Sequence, residues 1–271
     1  MKKIIIIITA LVSTSLFACK QTDLHLKSIN PVNGEDFSLH IRAFVPKGDS
    51  DRQVIILPPI GGVSLLEGKY ANKICNRGTS AFVFVNWTDD MEASVKDLSV
   101  HNRGTLRGLH AVETFLKYSE KPSSILGTSL GGIYAGVAVG KFDLIDKAAI
   151  IASGTNLSQL MATTTLPELS QLRKKRFEYF GFQSNDEYAQ AIKTYLTVEA
   201  INFKDNYANK KLLFFKTNSD TVIRPKYQDE LINLFDPNNT RVVRTRFGHK
   251  PGIIYTYGRR SSWIANFLSK Q

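Results

Sequence analysis

The sequence predicts an α/β fold: a mostly parallel, doubly wound sheet with helices on both faces and an inserted helical cap. Three observations predict it. Short, nearly continuous apolar runs recur at Val54 to Leu57, Ala81 to Val85, Ser124 to Leu126, Ala148 to Ile151, Leu212 to Phe215 and Val242 to Val243, the pattern of strands buried on both faces. Helical stretches separate them, near residues 65–77, 103–118, 132–140, 225–235 and 260–269, the alternation that builds parallel sheets. One long stretch, residues 155–209, holds no strand-like run.

The first eighteen residues stand outside this pattern. Lys2 and Lys3 precede an apolar run from Ile4 to Val12 and then small residues, the layout of a secretory signal. The run is too short to span a bilayer as a permanent helix. It ends Leu16-Phe17-Ala18-Cys19, which resembles the bacterial lipobox, where cleavage before the cysteine frees its thiol and amine for acylation. Phe17 departs from the small or β-branched residue usual there. The resemblance implies a mature chain that begins at a lipidated Cys19. Lys20 is not the Asp that marks retention in the inner membrane, so the expected place is the outer membrane, facing the periplasm. A plain signal peptide with an incidental Cys19 is the alternative. With Cys19 consumed as an anchor, Cys75 is left unpaired and reads as a small buried hydrophobe.

The rest of the chain must then be held by its core. At 271 residues, 43% hydrophobic and 22% charged, it can supply one. The same figures exclude disordered, collagen-like and disulfide-scaffold classes. One domain with an insertion fits the length, with the α/β core over residues 19–154 and 210–271 and the cap over 155–209. The net charge is +11. Residues 241–271 carry seven of the basic residues and no acid. That stretch reads as a solvated face, with attraction to anionic head groups as the alternative, and no nucleic-acid partner is expected.

After a turn at Asn33-Gly34, residues 37–45 alternate, with Phe37, Leu39 and Ile41 on one side and Ser38, His40 and Arg42 on the other. This is a strand buried on one face only. The cap stretch contains eight aromatics, from Phe177 to Tyr207, and balanced charges. It is therefore expected to be folded and helical, its aromatics mainly packing it onto the sheet. Arg173-Lys174-Lys175-Arg176 and Asp186-Glu187 interrupt those aromatics, which argues against a broad greasy surface.

The chemistry enters at Gly127-Thr128-Ser129-Leu130-Gly131-Gly132. Gly-x-Ser-x-Gly alone is weak, but here it follows an apolar strand and opens a helix, the context of a nucleophile elbow. A serine hydroxyl needs a base. His249 is the one histidine after Ser129, and it is expected on a loop at a strand's carboxyl end. The base in turn needs an acid to fix its tautomer. Asp220 lies in the loop beyond the run Leu212 to Phe215, whereas the loop after Ile151 holds no carboxylate. Asp89 and Asp90, which precede the serine, are the alternative acids.

The chain order Ser129, Asp220, His249 resembles that of the α/β-hydrolase fold, over nearly the whole mature length. The resemblance implies an oxyanion hole made by one amide from an earlier strand loop and one from the residue after the serine. Pro58-Pro59-Ile60-Gly61-Gly62 stands where relatives carry His-Gly-x-Gly-Gly. Matched position by position, Ile60 and Leu130 become the donors, and Pro58 and Pro59 are excluded because proline has no N–H. The missing His-Gly leaves the register of this loop open. The resemblance implies a serine hydrolase with an acyl-enzyme on Ser129, and the cap's interrupted aromatics and cancelling charges point to a small ester of short or medium acyl length as its substrate. An amidase or peptidase of the same fold, or a non-catalytic ligand-binding lipoprotein, are the alternatives. The sequence shows no metal-ligand cluster, phosphate loop or nicotinamide fingerprint, and no cofactor is expected. It does not set an oligomeric state.

Overall fold

In the computed structural model, which describes residues 6–9, 19–30, 33–60, 65–85 and 94–270, the strands form one nine-stranded sheet. In chain order they are β1 (Ile6–Thr9), β2 (Cys19–Ile29), β3 (Asp36–Pro46), β4 (Gln53–Leu57), β5 (Ser80–Phe84), β6 (Ser123–Thr128), β7 (Ile145–Ile151), β8 (Lys211–Thr217) and β9 (Thr240–Thr245). Their spatial order is β1-β2-β3-β5-β4-β6-β7-β8-β9. From β5 to β9 every pairing is parallel, and β1, β2 and β3 continue the sheet antiparallel. The expected signal segment lies outside the described residues except for Ile6–Thr9.

The apolar runs became strands because each has a core on both sides. A strand alternates its side chains between faces, so Ile55 and Leu57 enter one core while Val54 and Ile56 enter the other. β7 divides in the same way, into Ala148 and Ile150 against Ala149 and Ile151. The first core lies under α2 (Val100–Ser119), α3 (Leu130–Lys141) and α7 (Pro225–Ile232), and the second under α1 (Leu65–Cys75) and α8 (His249–Ser269). β3 buries Phe37, Leu39 and Ile41 on one face, as its alternation predicts. The turn before it uses Gly34 at φ 74°, a conformation that glycine adopts without penalty.

β2 has no counterpart among the sequence-predicted strands. Its residues, Cys-Lys-Gln-Thr-Asp-Leu-His-Leu-Lys-Ser-Ile, are mostly polar, and it is a strand because it pairs with β3 from Cys19 opposite Pro46 to Ile29 opposite Asp36. Its first residue corrects the cysteine reading. Cys19 is joined to Cys75, at the end of α1, by a disulfide, with the Cα atoms 6.0 Å apart. A sulfur in a disulfide cannot also carry the thioether of a lipid anchor. The structure thus replaces both the lipidated Cys19 and the unpaired Cys75 with a covalent link between β2 and α1.

Residues 155–209 fold as α4 (Leu157–Thr163), α5 (Pro167–Phe180), α6 (Asn185–Lys193) and a 3₁₀ turn at Ala200–Asn206. Tyr207 packs on Phe235, and its hydroxyl donates to Gly136 O of α3 at 2.8 Å. Phe177, Phe182 and Tyr188 form a ring cluster, whereas Tyr179 and Tyr195 are exposed. The run Arg173 to Arg176 is not uniformly exposed: Lys174 and Lys175 face solvent, and Arg176 does not. Arg176 is fully buried: Nη1 donates to His101 Nε2 (3.1 Å) and Tyr188 OH (2.9 Å), and Nη2 donates to Ser94 O (3.0 Å) and Asp97 O (2.5 Å). This riveting of α5 to α2 requires a neutral His101, because arginine only donates.

Burial, reinforced by the Arg176 charge and opposed by Asp97, holds the His101 pKa down at about 3. The unfolded chain therefore takes up the proton first. His101 contributes its full stability above its ordinary value near 6.5 and loses that contribution as pH falls from there toward 3. Between pH 7 and 4.5 the expected loss is about 2 kcal/mol. Urea unfolding of the wild type and His101→Asn at the two pH values measures it, and an equal pH dependence in both proteins would contradict it.

Candidate active site

Three strands of the parallel stretch, β6, β8 and β9, deliver the site at their carboxyl ends, the edge of an open α/β sheet where ligands bind. Ser129 follows β6, Asp220 follows β8 and His249 follows β9. The elbow is visible in the backbone: Ser129 has φ 53° and ψ −117°, a strained combination for a residue with a side chain. Its surroundings impose it. Ser129 N donates to Ile151 O at 3.0 Å, and Ser129 O accepts from Ser153 Oγ at 2.7 Å and from Gly132 N at 3.0 Å. A Cβ on Gly131 would meet Leu57 O at 2.2 Å, and one on Gly132 would meet Ser153 Cβ at 2.4 Å. The helix can start this close to β4 and β7 because it opens with two glycines.

The structure brings the three sequence-predicted residues into one hydrogen-bonded line. Ser129 Oγ lies 2.8 Å from His249 Nε2, and His249 Nδ1 lies 2.8 Å from Asp220 Oδ2. Asp220 is 2% exposed. Its Oδ1 accepts from the Val222 and Ile223 amides, both at 2.9 Å, and Oδ2 also accepts from Thr217 Oγ1 at 2.7 Å. These bonds satisfy a buried carboxylate and aim its second oxygen at the imidazole. Gln228 holds the loop from behind, accepting from Thr217 N at 3.0 Å and donating to Ile223 O at 2.8 Å.

His249 corrects one expectation. It is not on a free loop but is the first residue of α8, behind Gly248, so the base sits on a helix of twenty-one residues packed on the sheet. Pro251 in the first turn suits a helix start, where no N–H is required. Asp89 and Asp90 lie outside the described residues, as do Gly61 and Gly62.

Ile60 and Leu130 line one cleft with Ser129. Leu130 is the first residue of α3, where backbone amides have no intrahelical acceptor and the helix dipole favours negative charge. The Leu57 and Pro58 carbonyls lie against Gly131, so the loop carrying Ile60 abuts the elbow. The cleft is mostly apolar, lined by Ile133 of α3, by Leu160 and Met161 of α4, and by Leu166 and Leu169 at the start of α5. Its cavity volume is about 30 Å³, room for about two water-sized groups.

Ser153, Thr217 and Gln228 were not singled out from sequence. Each is an ordinary polar residue whose role arises from which strand end it follows. Chemically, the arrangement presents a hydroxyl beside a base whose other nitrogen is fixed by a carboxylate, next to helix-start amides suited to an oxyanion.

No family model and no curated protein matches this chain. Solved structures do resemble it. An acetyl xylan esterase from Paenibacillus sp. R4 superposes with TM-score 0.70 at 14% identity, over 97% of this chain and 89% of that one. Acetyl xylan esterase 1 from Thermoanaerobacterium sp. JW/SL YS485 gives 0.65 at 12% identity, over 99% and 88%. The Pyrococcus furiosus esterase Pf2001 gives 0.59 at 15% identity, over 93% and 92%. At these identities the likeness concerns the fold, which is the α/β-hydrolase fold.

Proposed function

We propose that this chain is a serine hydrolase that cleaves carboxylic esters with short acyl groups. The observation that carries the reading is the unbroken line from Asp220 through His249 to Ser129 Oγ at the mouth of a small apolar cleft. His249 Nε2 takes the hydroxyl proton as Ser129 Oγ attacks the ester carbonyl. The negative charge that develops on the carbonyl oxygen is received by the Leu130 and Ile60 amides. The tetrahedral centre then collapses, His249 returns the proton to the departing alkoxide, and the acyl group stays on Ser129. A water activated by the same imidazole resolves it, releasing the acid and restoring the hydroxyl. Asp220 remains ionised throughout and stabilises the imidazolium. The esterase neighbours support this at the level of fold.

Acyl length follows from the cleft. The narrow cleft beside Ser129, about 30 Å³ and walled by Leu160 and Met161, supports a preference for small acyl groups, because a longer chain gains little further enclosed apolar contact there. The kcat/KM for nitrophenyl esters is expected to be highest for acetate to butyrate and to fall at least tenfold by the octanoate. Aminoacyl anilides should be turned over more slowly than any short ester. A preference for octanoate, or for anilides, would contradict the reading.

Export to the bacterial cell envelope belongs to the same proposal, supported by the charged and apolar start of the chain and by a disulfide, which persists in an oxidising compartment. Mass spectrometry of the native protein without reductant tests it. Cleavage before Cys19 with the Cys19 to Cys75 link intact is expected, and acyl chains on Cys19 would show that the link does not form in the cell.

A further inference from the structure

The residue before the nucleophile has a hydrogen-bond line of its own, on the face of the sheet covered by α1 and α8. Tyr257 OH donates to Glu67 Oε1 at 2.8 Å, and Thr128 Oγ1 lies 2.8 Å from the same phenol oxygen. A phenol has one proton, already given to Glu67, so Thr128 must donate to Tyr257. All three side chains are buried. Burial, together with the neighbouring Glu67, keeps the Tyr257 phenol protonated, well above its usual range. Its ring is fixed edge-on by Tyr70 at 4.5 Å, and Tyr70 OH in turn donates to Thr256 O at 3.2 Å.

The three residues come from β6, which ends at the nucleophile, from α8, which begins with the base, and from α1. Thr128 ends β6 and fixes the entry into Ser129. Tyr257 lies on α8 eight residues after His249, or about 12 Å along one rigid helix. Glu67 is in the first turn of α1, seven residues after Ile60 in sequence. Strain at the nucleophile persists only where the surroundings over-determine it. Ser153 holds the carbonyl side of Ser129, and the Thr128 hydroxyl is the corresponding tie on the amino side.

We propose that Tyr257 is a positioning residue for the ester hydrolysis described above, on which this inference rests: its hydroxyl, accepting from Thr128 and donating to Glu67, sets the nucleophile's turn and the helix of the base at their working separation. It does not touch the substrate. Its loss should therefore slow the chemical step while leaving the acyl cleft, and hence KM, nearly as it was.

The test compares wild type, Tyr257→Phe, Thr128→Val, Thr128→Ser and the Tyr257→Phe/Thr128→Val double variant, with kcat expressed per active site titrated by a fluorophosphonate. Tyr257→Phe keeps the ring against Tyr70 and removes only the oxygen. The expected result is a kcat at least tenfold lower with KM within twofold of wild type. Thr128→Val should lose a similar factor, Thr128→Ser should stay close to wild type, and the double variant should be no slower than the worse single one. If the tie only stabilised the fold, melting temperature and titratable fraction would drop while kcat per titrated site stayed at the wild-type value; that outcome overturns the proposal, as would additive losses in the double variant. Thr128→Val probes the same bond from the strand, so a poorly folding Tyr257→Phe leaves a decisive measurement. A wild-type protein inert to esters and to the fluorophosphonate would instead overturn the hydrolase reading beneath it.

Discussion

Replacing Ser129 or His249 with alanine is expected to lower kcat by about 10⁵-fold, and replacing both should cost no more than either alone. The two act as one unit. Without Oγ no acyl-enzyme can form, and without Nε2 at 2.8 Å the hydroxyl keeps its proton and is a poor nucleophile at neutral pH. What survives in either variant is the residual effect of the helix-start amides and the cleft acting on a water. KM should change little, because His249 does not line the acyl cleft and Ser129→Ala removes only one hydroxyl from its wall. Stability should also hold, since in Ser129→Ala the backbone at 129 still donates to Ile151 O and still accepts from Ser153 Oγ, the bonds that impose the turn. Steady-state kinetics with nitrophenyl acetate, alongside thermal melting, separates this from unfolding. Two losses that multiply in the double variant would mean that the residues do not share a step.

Asp220→Asn carries the second largest expected effect, about 10⁴-fold in kcat, by the tautomer argument known from other triads. The surroundings decide which way an asparagine would lie. One oxygen of Asp220 accepts from the Val222 and Ile223 amides, so the carboxamide oxygen must stay there. Its NH₂ group then faces His249 Nδ1, where an acceptor is required. The imidazole would respond by carrying its proton on Nε2, which removes the lone pair that Ser129 needs. Thr217 Oγ1 would lose its acceptor as well. Activity in Asp220→Asn should recover partly at high pH, where hydroxide can replace the base, while the fold stays intact. Wild-type turnover in this variant would remove Asp220 from the mechanism.

How far the sequence foretold these positions depends on how local the signal was. Runs such as Val54 to Leu57 and Leu212 to Phe215 reveal buried strands because both neighbouring faces are apolar, and the glycines around Ser129 reveal a tight turn because a side chain there would strike backbone. β2 gave no such signal. Its polar residues form a strand only because β3 offers an edge to pair with. His249 reads as a loop residue because it lies between a β run and the terminal helix expected near residues 260–269, whereas α8 begins at His249 itself, its Pro251 and Gly252 tolerated in a first turn that starts behind Gly248 and packs on Thr217. Ser153, Gln228, Tyr257 and Arg176 acquire their roles from partners more than ten residues away in sequence. The pairing of Cys19 with Cys75 spans fifty-six residues, and no spacing rule singled it out.

The central claim is that Ser129 Oγ is a nucleophile that becomes covalently acylated. Its most direct test is intact-mass and peptide mass spectrometry after reaction with a fluorophosphonate, and after acid quenching during turnover of nitrophenyl acetate. The account predicts one adduct per chain with each reagent, mapped to Ser129, absent in Ser129→Ala and formed far more slowly in His249→Ala. An unmodified Ser129 during ongoing ester turnover, or an adduct on any other residue, would contradict it.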